Sequence, residues 1–137
     1  GTLEGTGLSG AGDPEAAVGE AARKALRQAG LEPSGLAFAV AGAAGPTFEA
    51  GEGPALRALL PKGVPVFQPA LAWGDTGGAK GPLGAALGLA LARGSPALAC
   101  ALLPPGAPKT GAPPPGAPFL VTALDPGGAA AAAVLRA

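Results

Sequence analysis

The chain has 137 residues, the size of one domain, and its 25 Gly and 17 Pro raise the question of disorder, but 48% hydrophobic content and zero net charge argue for a folded chain. Nine Lys and Arg balance nine Asp and Glu, and only 13% of residues are charged, which leaves no basic surface for nucleic acid phosphates. With no His and a single Cys there is no Ser-His-Asp triad, no Cys-His dyad, no His-held metal and no internal disulfide.

Gly1 to Leu8 supplies a short strand, with Gly10 to Gly12 as a breaker. Asp13 before Pro14 is the pattern of an N-cap followed by Pro at the first helical position. Val18, Ala22, Ala25, Leu26 and Ala29 recur at the helical period, and Gly30 is a natural stop, so a helix is predicted over 14–29. Leu36 to Ala41 is a continuous apolar run that reads as a buried strand. Glu49 to Leu60 reads as a second helix, stopped by Pro61 and Gly63, and Val64 to Phe67 as a short strand at an edge. Gly77 to Arg93 is a third helical stretch, apolar almost all round, as expected of a helix packed on several sides. Ala97 to Leu103 reads as another strand. The segment 104–118 is a Pro-rich, exposed, polyproline-like loop. Phe119 to Leu124 and Ala129 to Leu135 are two strands around an Asp125-Pro126-Gly127-Gly128 hairpin turn. The Ala run alone favours helix, but the tight turn and the closing Val134-Leu135 favour strand.

The longest apolar run, Leu83 to Ala92, is too short to cross a bilayer. No signal-peptide pattern opens the chain, so the expected compartment is the cytoplasm and no membrane partner is expected. Because position 1 is Gly, the chain is expected to follow a removed initiator Met or a cut in a longer chain.

Three spots invite chemistry. Gly5-Thr6-Gly7-Leu8-Ser9-Gly10 matches the dinucleotide fingerprint, but that mechanism needs a helix N-terminus beside the glycines, and here helix entry waits until Pro14. Cys100 lies in an apolar run without a neighbouring cation, so it reads as a small buried residue, slow toward thiol reagents, rather than a nucleophile. Asp75 stands where it caps the following helix; acid–base work would need a second carboxylate such as Glu49 or Glu52.

The order of elements resembles the C-terminal half of the β-ketoacyl-ACP synthases, condensing enzymes of the thiolase fold. The resemblance rests on a Gly-rich first strand at Gly5-Thr6-Gly7 and on Ala29-Gly30-Leu31-Glu32-Pro33 against the family's A-G-L-x-P. Ala41 to Pro46 stands where the family has A-H-G-T-x-T. Ala70 to Gly81 stands against K-S-x-x-G-H-x-x-G-A-A-G, Leu103-Pro104-Pro105-Gly106 against I-P-P-T, and Asp125 to Ala130 against G-F-G-G-x-N.

The resemblance implies an α/β fold: a thiolase-like half with a mixed sheet covered by helices and a C-terminal antiparallel hairpin, forming one ketosynthase C-terminal-like domain over 1–137. It also implies that the chemistry has gone. The two family His positions fall on Gly42 and Asp75, and the Lys position falls on Ala70. The pantetheine-side Thr positions fall on Ala44 and Pro46. Gly127 and Gly128 keep the hairpin glycines, but the Asn falls on Ala130, and the family nucleophile belongs to the other half. Each lost donor to a developing oxyanion is worth about 10²–10³ in rate. The expectation is a non-catalytic ketosynthase-like subunit or fragment in fatty acid or polyketide-type condensation. It would pair with a ketosynthase-like N-terminal half or a homologous subunit, with an acyl carrier protein as a further candidate partner. No catalytic residue, cofactor or metal is expected. The alternatives are an acyltransferase or hydrolase with altered chemistry through Asp75, and an acyl-chain binding module.

Overall fold

The computed structural model describes residues 1–10, 12–94, 96–107 and 113–137. Helix α1 runs Pro14–Ala29 as its caps predict: the Asp13 carboxylate accepts a hydrogen bond from the Ala16 N–H at 2.8 Å, and Gly30 ends the helix at φ +66°. Five strands form one mixed sheet: β1 (Thr2–Ser9), β2 (Phe38–Ala41), β3 (Val66–Phe67), β4 (Pro118–Leu124) and β5 (Ala130–Arg136). Their order across the sheet is β1-β5-β4-β2-β3. β2 pairs in parallel with both β3 and β4, and β5 pairs antiparallel with both β4 and β1. The hairpin forms as expected. Its turn is closed by the Asp125 N–H to Ala129 carbonyl bond at 2.9 Å and by the Ala129 N–H donating to Asp125 Oδ1 at 3.0 Å.

Strand alternation sorts the core into two layers. Ala39, Ala41, Leu120, Leu124, Ala132 and Val134 face α1 and α3 (Gly53–Leu59). Phe38, Val40, Phe119, Val121 and Leu135 face the other side, toward α5 (Lys80–Ala92) and α6 (Pro96–Leu102). There Phe38 stacks on Phe119 at 4.8 Å and meets the edge of Phe67 at 5.6 Å. On β1, the inner face is built from glycine. A Cβ on Gly5 would stand 2.1 Å from the Ala25 carbonyl oxygen, and one on Gly7 2.0 Å from that of Ala21. The G-x-G of the sequence is thus the seat of α1, backbone against backbone, which accounts for two glycines of the dinucleotide-like motif.

Three expectations are corrected. The strand expected over Ala97 to Leu103 is α6 (Pro96–Leu102). Its residues are Ala, Leu and Cys with no β-branched side chain, Ala and Leu are strong helix formers, and Pro96 opens it. The burial expected for the Cys100 side chain lies outside the described residues. The second helix starts earlier than Glu49: α2 (Gly45–Thr47) leads into a π turn (Phe48–Glu52) and then α3. The third helix begins with a 3₁₀ turn (Gly77–Ala79) before α5, and a short α4 (Ala70–Trp73) precedes it. The Pro-rich loop falls partly outside the described residues, at 108–112. Elsewhere in it, Pro105, Gly106, Pro114 and Pro115 are exposed while Pro113 is buried. Among the described residues no helix is long and apolar enough to cross a membrane.

Candidate functional site

The carboxyl end of a parallel strand is where open α/β sheets place ligands, and here β2 delivers Gly42, Ala43 and Ala44. The Asp75 loop, α4 and α2 close around them. A cavity of about 400 Å³ and one of about 110 Å³ meet at Asp75. The smaller is lined by Gly42, Ala43, Ala44, Thr47, Ala70 and Asp75. Four positions singled out in the sequence, Gly42, Ala44, Ala70 and Asp75, therefore share one small space. Among these lining residues the polar side chains are those of Thr47 and Asp75. Ala130 lines the larger cavity with Leu8, Lys80, Asp125 and Pro126. Pro46, Gly127 and Gly128 line neither.

Two charged groups organise this region: Glu52, named in the sequence only as a possible partner for Asp75, and Lys80, which was not singled out there. Glu52 leaves the π turn and is fully buried. Its carboxylate accepts hydrogen bonds from the Gly42 N–H at 3.1 Å, the Ala43 N–H at 2.6 Å and the Thr122 hydroxyl at 2.6 Å. It ties the end of β2 to β4. Burial pushes its carboxyl above the ordinary range, against the pull of the Thr122 hydroxyl and the Ala43 and Gly42 N–H groups. The suggested pairing of Asp75 with Glu49 or Glu52 is not seen. Glu49 bonds Arg57 at 2.8 Å on the surface. Glu52 holds the Gly42 and Ala43 N–H groups and the Thr122 hydroxyl and lines neither cavity that Asp75 lines.

Lys80, at the start of α5, is 8% exposed, and its Nζ lies 3.1 Å from Asp75 Oδ2. Asp75 Oδ1 accepts the Gly77 N–H at 2.8 Å, a bond within the turn; the cap positions are Thr76 for the 3₁₀ turn and Ala79 for α5, so Asp75 does not cap the helix as expected. The Gly77 N–H and the Lys80 ammonium hold its carboxyl below the usual range. A side chain at Gly42 would crowd this arrangement, with Lys80 Cβ and the Thr122 carbonyl oxygen both 3.2 Å from an added Cβ. Lys80 was detectable in principle, as the only charge between Asp75 and Arg93. Glu52 was named as a candidate, but its buried role was not legible, because a π turn breaks the helical register that would show where it points.

Beside this site the sheet is open among the described residues. α5 covers β4, β5 and β2, and β1 extends beyond it. Leu3 and Leu8 on β1 are 58% and 73% exposed. With Pro82, Ala85, Val121 and Leu135 they line an apolar groove of about 570 Å³.

No protein-family model and no curated protein matches the chain at a significant level. Solved structures do. The ishigamide ketosynthase/chain length factor matches at 27% identity and TM-score 0.57, over 98% of this chain and 34% of that one. An oxazolomycin ketosynthase domain of Streptomyces albus JA3453 matches at 22% identity and TM-score 0.66, over 96% of this chain and 43% of that one. A ketosynthase in complex with its chain length factor, from Xenorhabdus doucetiae, matches at 19% identity and TM-score 0.68, over 98% of this chain and 38% of that one. The chain thus spans less than half the length of each of these structures. Sheet order, helical layers and these likenesses agree: the chain has the thiolase-like fold of the ketosynthases.

Proposed function

We propose that the chain is a cytoplasmic ketosynthase-like half that works by pairing with an N-terminal ketosynthase-like half and performs no condensation itself. The carrying observation is the open face of β1, where Leu3 and Leu8 stand beside α5 without a covering element among the described residues. Exposed apolar surface of this kind marks an interface. At about 25 cal/mol for each Å² of apolar area, covering a few hundred Å² contributes several kcal/mol before the cost of association. The occupant is a second half because the chain matches 34% and 38% of two ketosynthase structures, and the rest of that fold is the element suited to this face.

Inactivity follows from the site's chemistry. Decarboxylative condensation in the family uses His donors at an oxygen that gains negative charge. At the matching positions stand Gly42, which has no donor side chain, and Asp75, a carboxylate that repels an enolate. Gly42, Ala44, Pro46, Ala70, Asp75 and Ala130 are the degenerate positions of this reading, with Gly127 and Gly128 retained for the hairpin.

Sedimentation of the pure chain at micromolar concentration, with and without an N-terminal ketosynthase half, tests the pairing. A one-to-one complex that Leu8→Lys abolishes supports it. A monomer indifferent to the added half, or self-association that the half does not displace, overturns it. An assay with malonyl and acyl thioesters is expected to yield nothing from the chain alone, and condensation product would overturn the inactivity.

A further inference from the structure

Lys80 has a buried side chain and a surface partner. Its stem and head are 8% exposed, whereas Asp75 is 66% exposed. The carboxylate reaches the ammonium from the solvent side, 3.1 Å away, and its second oxygen takes the Gly77 N–H at 2.8 Å. An ammonium and a backbone N–H therefore converge on one carboxylate. Two other acids bear on this region, and both are engaged elsewhere. Glu52 attracts Lys80 from within, but its oxygens hold the Gly42 and Ala43 N–H groups and the Thr122 hydroxyl. Asp125 lines the cavity, but its Oδ1 holds the Ala129 N–H in the hairpin turn. Beyond the ion pair the cavity of about 400 Å³ continues between walls of Gly, Ala, Leu124 and Pro126.

We infer that Lys80 anchors a carboxylate-binding site that the chain's own Asp75 occupies. The ligand class is a small monocarboxylate, its head on Lys80 and Gly77 and its short apolar body in the cavity. With Asp75 in place the site is closed to anions. If the chain completes a ketosynthase-like site as proposed above, Asp75 is also the residue that keeps anionic acyl groups out of it; only that consequence rests on the proposed function.

Chemical rescue tests the site on the isolated chain, independently of any partner. Asp75→Ala leaves a buried ammonium without its counter-charge, and its melting midpoint is expected to fall by roughly 5 °C. Sodium acetate or propionate is expected to restore at least half of that loss in a saturable way, relative to sodium chloride at equal ionic strength. Wild type is expected not to respond, and Asp75→Ala combined with Lys80→Met is expected to lose the rescue. Asp75→Asn, which keeps an acceptor for the Gly77 N–H, provides a second variant. In it the ¹³Cε resonance of Lys80 is expected to shift on acetate addition. An acetate effect no greater than chloride in both single variants, or an equal effect in wild type or the double variant, overturns the inference.

Discussion

Gly7→Ala probes how α1 is held on the sheet. The added methyl carbon would lie 2.0 Å from the Ala21 carbonyl oxygen and 2.9 Å from both Ala21 C and Lys24 Cβ. An ordinary carbon–oxygen contact is about 3.3 Å, so α1 must withdraw by more than about 1 Å at this turn. The obstacle is backbone rather than a flexible side chain, so no rotamer change can relieve it. Withdrawal loosens Ala17, Val18, Ala21, Ala22, Ala25 and Leu26, all now buried. A radial gap of 0.5–1 Å already forfeits about a quarter to a half of each contact. Overpacking of a core costs about 1–3 kcal/mol, and this case belongs at the upper end. Reduced freedom of the unfolded chain returns about 0.4–1 kcal/mol. The expected net loss is about 2 kcal/mol, read as a lower urea midpoint by far-UV circular dichroism at unchanged slope. Gly10→Ala is the control, since an added Cβ there meets nothing within 4 Å. A Gly7→Ala midpoint equal to that of Gly10→Ala would refute the seating of α1 on β1 and leave Gly5 and Gly7 without a packing role.

Asp13→Ala removes the cap that holds the Ala16 N–H and should cost about 1 kcal/mol in the same urea assay. Gly88→Ala would set a Cβ 2.1 Å from Phe119 Cε2, in a ring stacked on Phe38; despite the gain in helix propensity, a loss of about 2 kcal/mol is expected in thermal melts. Glu52 gives a pH signature, because burial raises its folded pKa above the ordinary 4.5. The native state then takes up the proton first as pH falls, so the stability Glu52 contributes is full below the unfolded value and lost as pH rises through the raised one. The stability of wild type minus that of Glu52→Gln should therefore fall with rising pH across that window, and a difference that rises would contradict the burial argument.

What could be read from the sequence was local. Asp13, Pro14, Gly30 and a clean apolar period specify α1 within its own residues, and Asp125 to Gly128 with Val134-Leu135 specify the hairpin despite five consecutive alanines. The run Ala97 to Leu103 could not be decided by pattern, because a short apolar stretch has no readable period; its Ala and Leu content carried more weight than its flanks did. The site divides the same way. Gly42, Ala44, Ala70 and Asp75 meet in one cavity, and their grouping came from a resemblance that orders whole elements rather than from any spacing among them. The contacts that define its electrostatics are long-range: Glu52 finds Thr122 across 70 residues of chain, through a fold and a π turn that no window of sequence displays.

β1 carries the reasoning furthest from sequence to function. Its alternate positions Gly5, Gly7 and Ser9 are buried under α1, and Thr6 and Leu8 point the opposite way. A strand with one wet face normally alternates apolar inside and polar outside. This one puts glycine inside and Leu8 outside, 73% exposed, beside a helix α5 whose own Pro82 and Ala86 are exposed. The inner face needs no side chains because α1 approaches to backbone contact. The outer face has apolar side chains and, among the described residues, no element to cover them. Water does not explain Leu at those positions, whereas a second half of the same fold would. Leu8→Lys separates the two cases: a change that leaves the isolated chain as stable as before, yet abolishes assembly with the added half, places the function of β1 on its outer face.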